Sequence, residues 1–403
     1  MLREYCTGHH DVLAREDGHE PARVSVALIC HASLGGSSRV ATRLAYGLEQ
    51  RGHAVSLIAD SPPPAPAKEL SAVRLETLES DKHRWTTVIE PTWEPWRLDA
   101  LARRVESVVR RNRVQIVHYH YAWPFAHVVQ RLKARLGANA PAFVGTLHGT
   151  DVTHPPAGVP HAVLDETDVV TCVSHRYARL ARARFGLAAD PIVIPNFIDP
   201  GDFPLSRDFT DPSAGRSRPR IVHVSNFRRI KNPDDVGRIF LALRERLPAE
   251  LWLVGEGPEL ASLASMLDAE GAGDDVRLLG YQADVGSVLA ECDLLLMASA
   301  EESFCLAALE AMACGLCVVA PAVGGLTELA QHGRTAMFFE PGDTAGGARA
   351  ALRLLTHHRR RLAMRAHAAE RARSFSTWSV LQHYETLYRT AAPGQLRLAR
   401  QAV

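Results

Sequence analysis

The sequence predicts an α/β fold in which two doubly wound parallel-sheet domains face each other across a cleft. Three observations support this: the chain has 403 residues, short apolar β-rich runs alternate with helical segments, and a polar stretch interrupts the alternation near the middle. Alternation of this kind is typical of a parallel sheet covered by helices. At about 150 residues per domain, the length suggests two to three domains. Ligands bind at the carboxyl ends of the strands in such sheets, so we expect one shared crevice.

The first domain is predicted over residues 23–198, after a polar leader over residues 1–22 that we expect to be flexible. Apolar runs predict its strands at 24–30, 53–58, 116–118, 142–147 and 169–173. Helical spacing predicts helices at 40–51, 98–112, 125–136 and 176–185.

A stretch rich in Pro, Asp, Ser and Arg over residues 199–219 is predicted to be the linker. The second domain is predicted over residues 220–375, with strands at 221–224, 251–254, 276–279, 294–297, 317–320 and 336–339. Residues 376–403 are predicted to contain a helix that packs back toward the first domain. Its expected apolar stripe consists of Trp378, Val380, Leu381, Tyr384 and Leu387.

Composition excludes several classes of function. Lys plus Arg total 46 against 45 for Asp plus Glu, so the net charge of +1 gives no field for a nucleic acid. No apolar run approaches the ~18 residues of a membrane span. The seven cysteines are an odd number without a signal-peptide pattern, which favours the reducing cytoplasm. Cys314 and Cys317 are expected to be small buried residues, with a redox or metal role as the alternative.

The segment 301–315 is the most informative part of the sequence. Ser303 is predicted to cap a helix that Gly315 ends, so the main-chain N–H groups near Cys305 would face a diphosphate. Glu302 just before this helix and Glu310 inside it could accept hydrogen bonds from sugar hydroxyls on either side of the anion. Taken alone, the segment is better explained as an acidic helix start with a solvated second glutamate, and only the neighbouring motifs reverse this preference.

Cationic and glycine-rich turns follow other predicted strands. Arg228 and Lys231 come after the strand at 221–224 and could neutralise a diphosphate without a metal, although surface charge is the alternative. Gly35 and Gly36 follow the first strand, where they could admit a phosphate or acceptor, or form an ordinary turn. Three histidines lack an acidic partner at ligand spacing, so a metal site is not expected at His118, His120 and His148.

In this order, the motifs resemble those of the retaining glycosyltransferases of family four, whose two Rossmann-like domains have the GT-B arrangement. Within that family the chain looks most like the bacillithiol-type synthases, which attach N-acetylglucosamine from UDP-GlcNAc to L-malate. The motifs that carry the resemblance are Gly35-Gly36-Ser37, His120-Tyr121-Ala122, His148-Gly149-Thr150-Asp151, Ser225-Asn226-Phe227-Arg228, Gly255-Glu256-Gly257 and Glu302-x7-Glu310.

The resemblance implies metal-independent transfer with retention, in which a nucleoside diphosphate sugar is a co-substrate, no cofactor is needed and the acceptor is a small polar molecule. It implies that Lys231, Arg228, Glu302 and His148 act at the reacting sugar and diphosphate. It assigns the nucleotide-sugar site to Gly36, Ser225, Asn226, Gly255, Cys305, Leu306 and Glu310, with Glu310 on the ribose. The expected acceptor residues are Ser37, Arg39, Tyr121, Trp123 and Thr150.

Departures from the family pattern bear on the substrates. Cys305 stands where the family has Gly, and Ser38-Arg39 alters the first glycine turn. Trp123 and Phe125 stand where the malate-using enzymes have smaller or more polar residues, which suits an apolar or cationic acceptor group unless Trp123 lies in the core.

Other functions therefore stay open. One is transfer to a specialised metabolite or small thiol of the ergothioneine type, as in lincosamide-type pathways, with a GDP-sugar donor as a variant. The others are a nucleotide-sugar epimerase and a sugar-nucleotide-binding protein without catalysis. The sequence is also compatible with a homodimer.

Overall fold

A computed structural model describes residues 23–78, 92–157, 161–203 and 218–392. The predicted leader at 1–22, most of the predicted linker and the residues after 392 lie outside this part of the chain. Two parallel sheets organise the described residues, which confirms the predicted fold class.

The first sheet has seven strands in the order β3-β2-β1-β4-β5-β6-β7. These are β1 (Ser25–Cys30), β2 (Ala54–Ala59), β3 (Arg74–Thr77), β4 (Ile116–His120), β5 (Ala142–Leu147), β6 (Val169–Cys172) and β7 (Ile192–Val193). Its helices are α1 (Gly36–Gln50), α2 (Ala67–Ala72), α3 (Pro95–Asn112), α4 (Phe125–Leu136), α5 (Thr150–Thr153) and α6 (His175–Phe185). The unpredicted strands β3 and β7 lie at the two edges, where a strand is short and needs no continuous apolar run.

The second sheet has six strands in the order β10-β9-β8-β11-β12-β13. These are β8 (Arg220–Val224), β9 (Glu250–Val254), β10 (Val276–Gly280), β11 (Leu294–Leu296), β12 (Cys317–Pro321) and β13 (Ala336–Phe339). Its helices are α7 (Pro233–Arg244), α8 (Leu260–Ala269), α9 (Val285–Ala290), α10 (Leu306–Ala313), α11 (Leu326–Leu329), α12 (Thr344–Thr356) and α13 (His358–Arg373). We call the two halves the first and the second lobe.

Helix α14 (Thr377–Ala391) follows the second lobe in the chain but packs on α1 of the first lobe. Val380, Leu381, Tyr384 and Leu387 are buried in the apolar cluster that contains β1 and β2. Arg51 at the end of α1 forms an ion pair with the buried Glu385. Trp378 does not belong to this stripe, because it is 66% exposed and its ring lies beneath the guanidinium of Arg51.

The chain crosses between the lobes twice, and the two crossings lie side by side. The main-chain N–H of Ile198 donates to the carbonyl of Phe375 at 3.0 Å, and the N–H of Thr377 donates to the carbonyl of Ile198 at 2.8 Å. The two segments that connect the lobes are therefore hydrogen-bonded to each other.

Candidate active site

A cavity of about 740 Å³ lies between the lobes at the carboxyl ends of both sheets. It is lined by the turns after β1 and β5 on one side, and by the turns after β8 and β9 and the start of α10 on the other. All but one of the site residues expected from the sequence line it, and these are Gly36, Ser37, Arg39, Tyr121, His148, Thr150, Ser225, Asn226, Arg228, Lys231, Gly255, Glu302, Cys305, Leu306 and Glu310.

Helix α10 begins at Leu306, two residues later than the predicted cap at Ser303 implies. Cys305 precedes it in the left-handed region, with φ +79° and no side-chain cap. Ser303 instead donates its hydroxyl to the main-chain carbonyl of His148 in the first lobe. Neither Ser303 nor Cys305 therefore caps the first turn with its side chain, and the helix dipole favours an anion there. Left-handed backbone costs a non-glycine residue roughly 1–2 kcal/mol, so this turn is strained at the cavity wall.

Glu302 and Lys231 form an ion pair inside the cavity. Lys231 Nζ lies 2.7 Å from Glu302 Oε1, and Ser299 donates its hydroxyl to the same oxygen at 2.8 Å. The main chain at Glu302 packs closely against Gly324. A Cβ added to Gly324 would lie 1.8 Å from the Glu302 carbonyl oxygen. Only glycine fits at that position, which also has φ +54°. An ammonium has three donors, so Lys231 keeps two for a second acceptor.

Arg228 is the cation best placed to receive a diphosphate. It makes no ion pair within the described residues, and its Nε is buried without a hydrogen-bond partner. Burial lowers the pKa of its guanidinium, and the nearby Tyr121 and Glu302 offset this effect only in part. The turn that carries it is fixed by Ser225, whose hydroxyl accepts from the N–H of Phe227 at 3.1 Å and contacts Nε2 of His223 at 2.8 Å.

Glu310 lies on α10 with a side chain that is 1% exposed. Its Oε1 is 2.7 Å from Nη2 of Arg39, which comes from α1 across the cleft. The charge of Glu310 raises the pKa of Arg39. The second carboxylate of the predicted pair is therefore already in contact with the opposite lobe.

The first lobe contributes a chain of buried histidines that leads to the cavity. His120 Nδ1 lies 3.0 Å from His148 Nε2, and His118 contacts the hydroxyls of Tyr388 and Thr146, each at 2.7 Å. Burial lowers the pKa of His118 and of His148 to about 3, so both are neutral near pH 7. No group of three or more His, Cys, Asp and Glu side chains suited to a metal ion occurs within residues 23–78, 92–157, 161–203 and 218–392.

The His148 turn is held by Asp151. The carboxylate of Asp151 accepts the N–H groups of His148 at 3.0 Å and Gly149 at 2.7 Å. Burial raises the pKa of Asp151 to about 6. The imidazole of His148 thus sits on a rigid turn at the cavity wall.

Trp123 departs from the expected acceptor role. It is 1% exposed in the core of the first lobe, where its indole N–H donates to the carbonyl of Asp151 at 2.8 Å. Phe125 is equally buried and packs against His31. The chain after β4 turns back into the core, so these rings offer no surface to a ligand, while Tyr121 does line the cavity.

Several cavity residues were missed by the sequence reasoning. Arg43 and Lys68 both contact Asp202, each at 2.8 Å. Arg43 lies one helical turn after Arg39, and this spacing on one helix face is the signal that could have found it. Asp202 gave no such signal because its partners are distant in sequence. Glu69 and Tyr281 are two further cavity residues of this kind.

The lobes also touch beside the cavity. The carboxylate of Glu328 accepts the main-chain N–H groups of His175 at 2.8 Å and Arg176 at 2.7 Å, at the start of α6. The hydroxyl of Tyr177 donates to Glu301 at 2.7 Å. These contacts join the two lobes directly.

Comparison with known proteins agrees with this geometry. Residues 34–202 match the family model described as Glycosyltransferase Family 4, and residues 218–357 match the one described as Glycosyl transferases group 1. The chain is 32% identical over 380 residues to the N-acetyl-alpha-D-glucosaminyl L-malate synthase of Bacillus anthracis, covering 91% of this chain and 97% of that protein. The chain belongs to the family-four glycosyltransferases.

Solved structures place this glycosyltransferase in the GT-B fold. Sucrose-phosphate synthase from Thermosynechococcus elongatus superposes with a TM-score of 0.76 at 20% identity, covering 91% of this chain and 99% of that one. Anabaena HepE in complex with UDP-glucose superposes with a TM-score of 0.71 at 20% identity, and the coverage of both chains is the same. No helix in the described part of the glycosyltransferase is long and apolar enough to cross a membrane.

Proposed function

We propose that this glycosyltransferase moves N-acetylglucosamine from UDP-GlcNAc, with retention and without a metal, to a small carboxylate-bearing acceptor such as L-malate. One observation carries the proposal: Glu302, Glu310, Lys231 and Arg228 line one cavity together with the uncapped start of α10. Cations and main-chain donors suit the diphosphate, and two carboxylates suit the hydroxyls of the two sugars.

The acceptor class is supported by the relatives and by the cavity wall. Malate and D-inositol 3-phosphate are both anions, and they occur in the names of the Bacillus anthracis synthase and of a Salinispora tropica glycosyltransferase. The Salinispora protein is 30% identical over 308 residues, covering 68% of this chain and 63% of that protein. In this chain the first-lobe wall carries three cations: Arg39 contacts Glu310, and Arg43 and Lys68 both contact Asp202. The apolar acceptor suggested by Trp123 and Phe125 loses its support, because both rings are buried.

In the proposed reaction, the bond between the anomeric carbon and the diphosphate oxygen breaks as the acceptor hydroxyl attacks the same face. The acceptor's proton passes to the departing phosphate oxygen. Arg228 and Lys231 stabilise the charge that develops on this leaving group. Glu302 orients the donor sugar, His148 lies against it, and Glu310 binds the ribose. Burial lowers the pKa of His148 to about 3, which makes its imidazole a poor base near neutral pH and leaves the departing phosphate oxygen as the proton acceptor.

The test is product analysis with UDP-GlcNAc and L-malate, read by mass spectrometry for the adduct and by NMR for the anomeric configuration. We expect an α-linked product. Calorimetry with UDP and with GDP identifies the base. A β-linked product would refute retention, and binding of GDP alone would favour the small-thiol alternative. Epimerised sugar nucleotide formed without acceptor would favour an epimerase.

A further inference from the structure

One ion pair crosses the cleft at the carboxylate that the proposed function assigns to the ribose. Nη2 of Arg39 lies 2.7 Å from Oε1 of Glu310. The two side chains differ in freedom, because that of Arg39 is 34% exposed and that of Glu310 is 1% exposed. Glu310 is held within α10, so Arg39 is the partner able to move.

Arg39 belongs to the part of the first glycine turn that departs from the malate-using synthases. This turn rests directly on the start of α10, since a Cβ on Gly36 would lie 3.1 Å from Cδ1 of Leu306. The contact brings the first turn of α1 to the nucleotide end of the cavity. Arg39 therefore reaches Glu310 from a position that the sequence pattern assigns to acceptor binding.

We propose that Arg39 competes with the nucleotide ribose for Glu310, so that the cross-cleft pair must open before the nucleotide is fully bound. The Glu310 side chain is 1% exposed and the guanidinium of Arg39 is in contact with its carboxylate, so a ribose can approach that carboxylate only after Arg39 moves aside. The inference rests on the proposed function, because it takes Glu310 to be the ribose ligand.

The competition reverses the change in nucleotide affinity that is expected when a cation is removed from a diphosphate site. Removal of a cation that binds the diphosphate weakens nucleotide binding. Removal of Arg39 instead frees Glu310. If the pair is closed in about nine-tenths of the molecules, its loss tightens nucleotide binding about tenfold.

The experiment measures the Kd of UDP by calorimetry for the wild type, Arg39→Met and Lys68→Met. Methionine keeps an unbranched apolar stem and removes the charge. Lys68 is the matched control, because it is another first-lobe cation of the cavity whose partner is Asp202 rather than Glu310. We expect Arg39→Met to tighten UDP binding about three- to tenfold, and Lys68→Met to leave it unchanged or weaken it. GDP serves equally if it binds better, since the ribose is the same.

A second comparison separates this inference from the proposed function. The wild type should bind UDP more tightly than 2′-deoxy-UDP, because one ribose hydroxyl is missing from the latter, and Glu310→Gln should weaken UDP binding. If these two results hold and Arg39→Met binds UDP unchanged or more weakly, the competition is wrong while the ribose site stands. If UDP and 2′-deoxy-UDP bind equally, Glu310 is not the ribose ligand and the proposed site itself fails. In the Glu310→Gln background, Arg39→Met should no longer tighten binding.

Discussion

Replacement of Glu328 by alanine is expected to open the cleft. Its carboxylate is in the second lobe and accepts the first two N–H groups of α6 in the first lobe. The main chain around Glu328 stays anchored in the variant, because Arg371 donates to the carbonyls of Glu328 at 3.0 Å and Leu329 at 3.1 Å. The substitution therefore removes the cross-cleft contact and leaves α11 in place.

The size of the effect follows from the two hydrogen bonds. A hydrogen bond to a charged group contributes roughly 1.5–3 kcal/mol when it is shielded from water. Both bonds are exposed, so we assign about 1 kcal/mol to each after screening. The sum of about 2 kcal/mol shifts the equilibrium between closed and open forms about thirtyfold.

Small-angle X-ray scattering measures this shift as an increase in the radius of gyration of the free protein. Glu328→Gln keeps an acceptor oxygen but loses the charge, so it should give an intermediate value. Glu340→Ala is the matched control, since this exposed glutamate follows β13 and does not line the cavity. An unchanged radius of gyration in Glu328→Ala would refute the reasoning that this carboxylate holds the lobes together.

Three further predictions concern the cavity and the core. Lys231→Met should lower turnover on the order of 10²-fold or more in steady-state assays, because a donor to the leaving group is lost, whereas the neighbouring exposed Arg229→Met should not. Trp123→Leu should lower the free energy of unfolding by about 2–3 kcal/mol in chemical denaturation, because a buried ring is lost. The KM for the acceptor should not change. A changed KM in a variant of unchanged stability would show that Trp123 belongs to the acceptor site. Acid should destabilise the protein: the pKa of His118 is about 3 in the folded state and near 6.5 when unfolded, so stability is lost as pH falls below 6.5. At pH 5 this one group accounts for about 2 kcal/mol, and His118→Gln should flatten the pH dependence of unfolding accordingly.

The fold followed from the sequence because its signals are local. Strand 142–147 and helix 125–136 have the predicted bounds, since apolar runs and helical spacing are properties of neighbouring residues. The edge strand 74–77 has no such signal, because half-exposed edge positions accept polar side chains. The end of α10 near Gly315 was also predicted, whereas its start was not, since Ser303 is drawn to His148 in the other lobe.

The site was predictable as a set of residues but not as a set of contacts. The motifs placed nearly all of the predicted site residues correctly in the cavity, because most of these motifs follow the end of a strand. The pairs Lys231–Glu302 and Arg39–Glu310 join residues far apart in the chain, and no local pattern specifies them. Trp123 was misplaced for the same reason, since its burial depends on the direction the chain takes after β4.

The position of α14 has a consequence for the order of folding. Domains commonly fold as units while the chain is being synthesised, the earlier one first. Here the apolar face of α1 is covered by Leu381 and Tyr384, which leave the ribosome only after the whole second lobe. The lobe that is made first can therefore complete its core only after the second lobe has been made, and until then its exposed α1 face needs protection from aggregation.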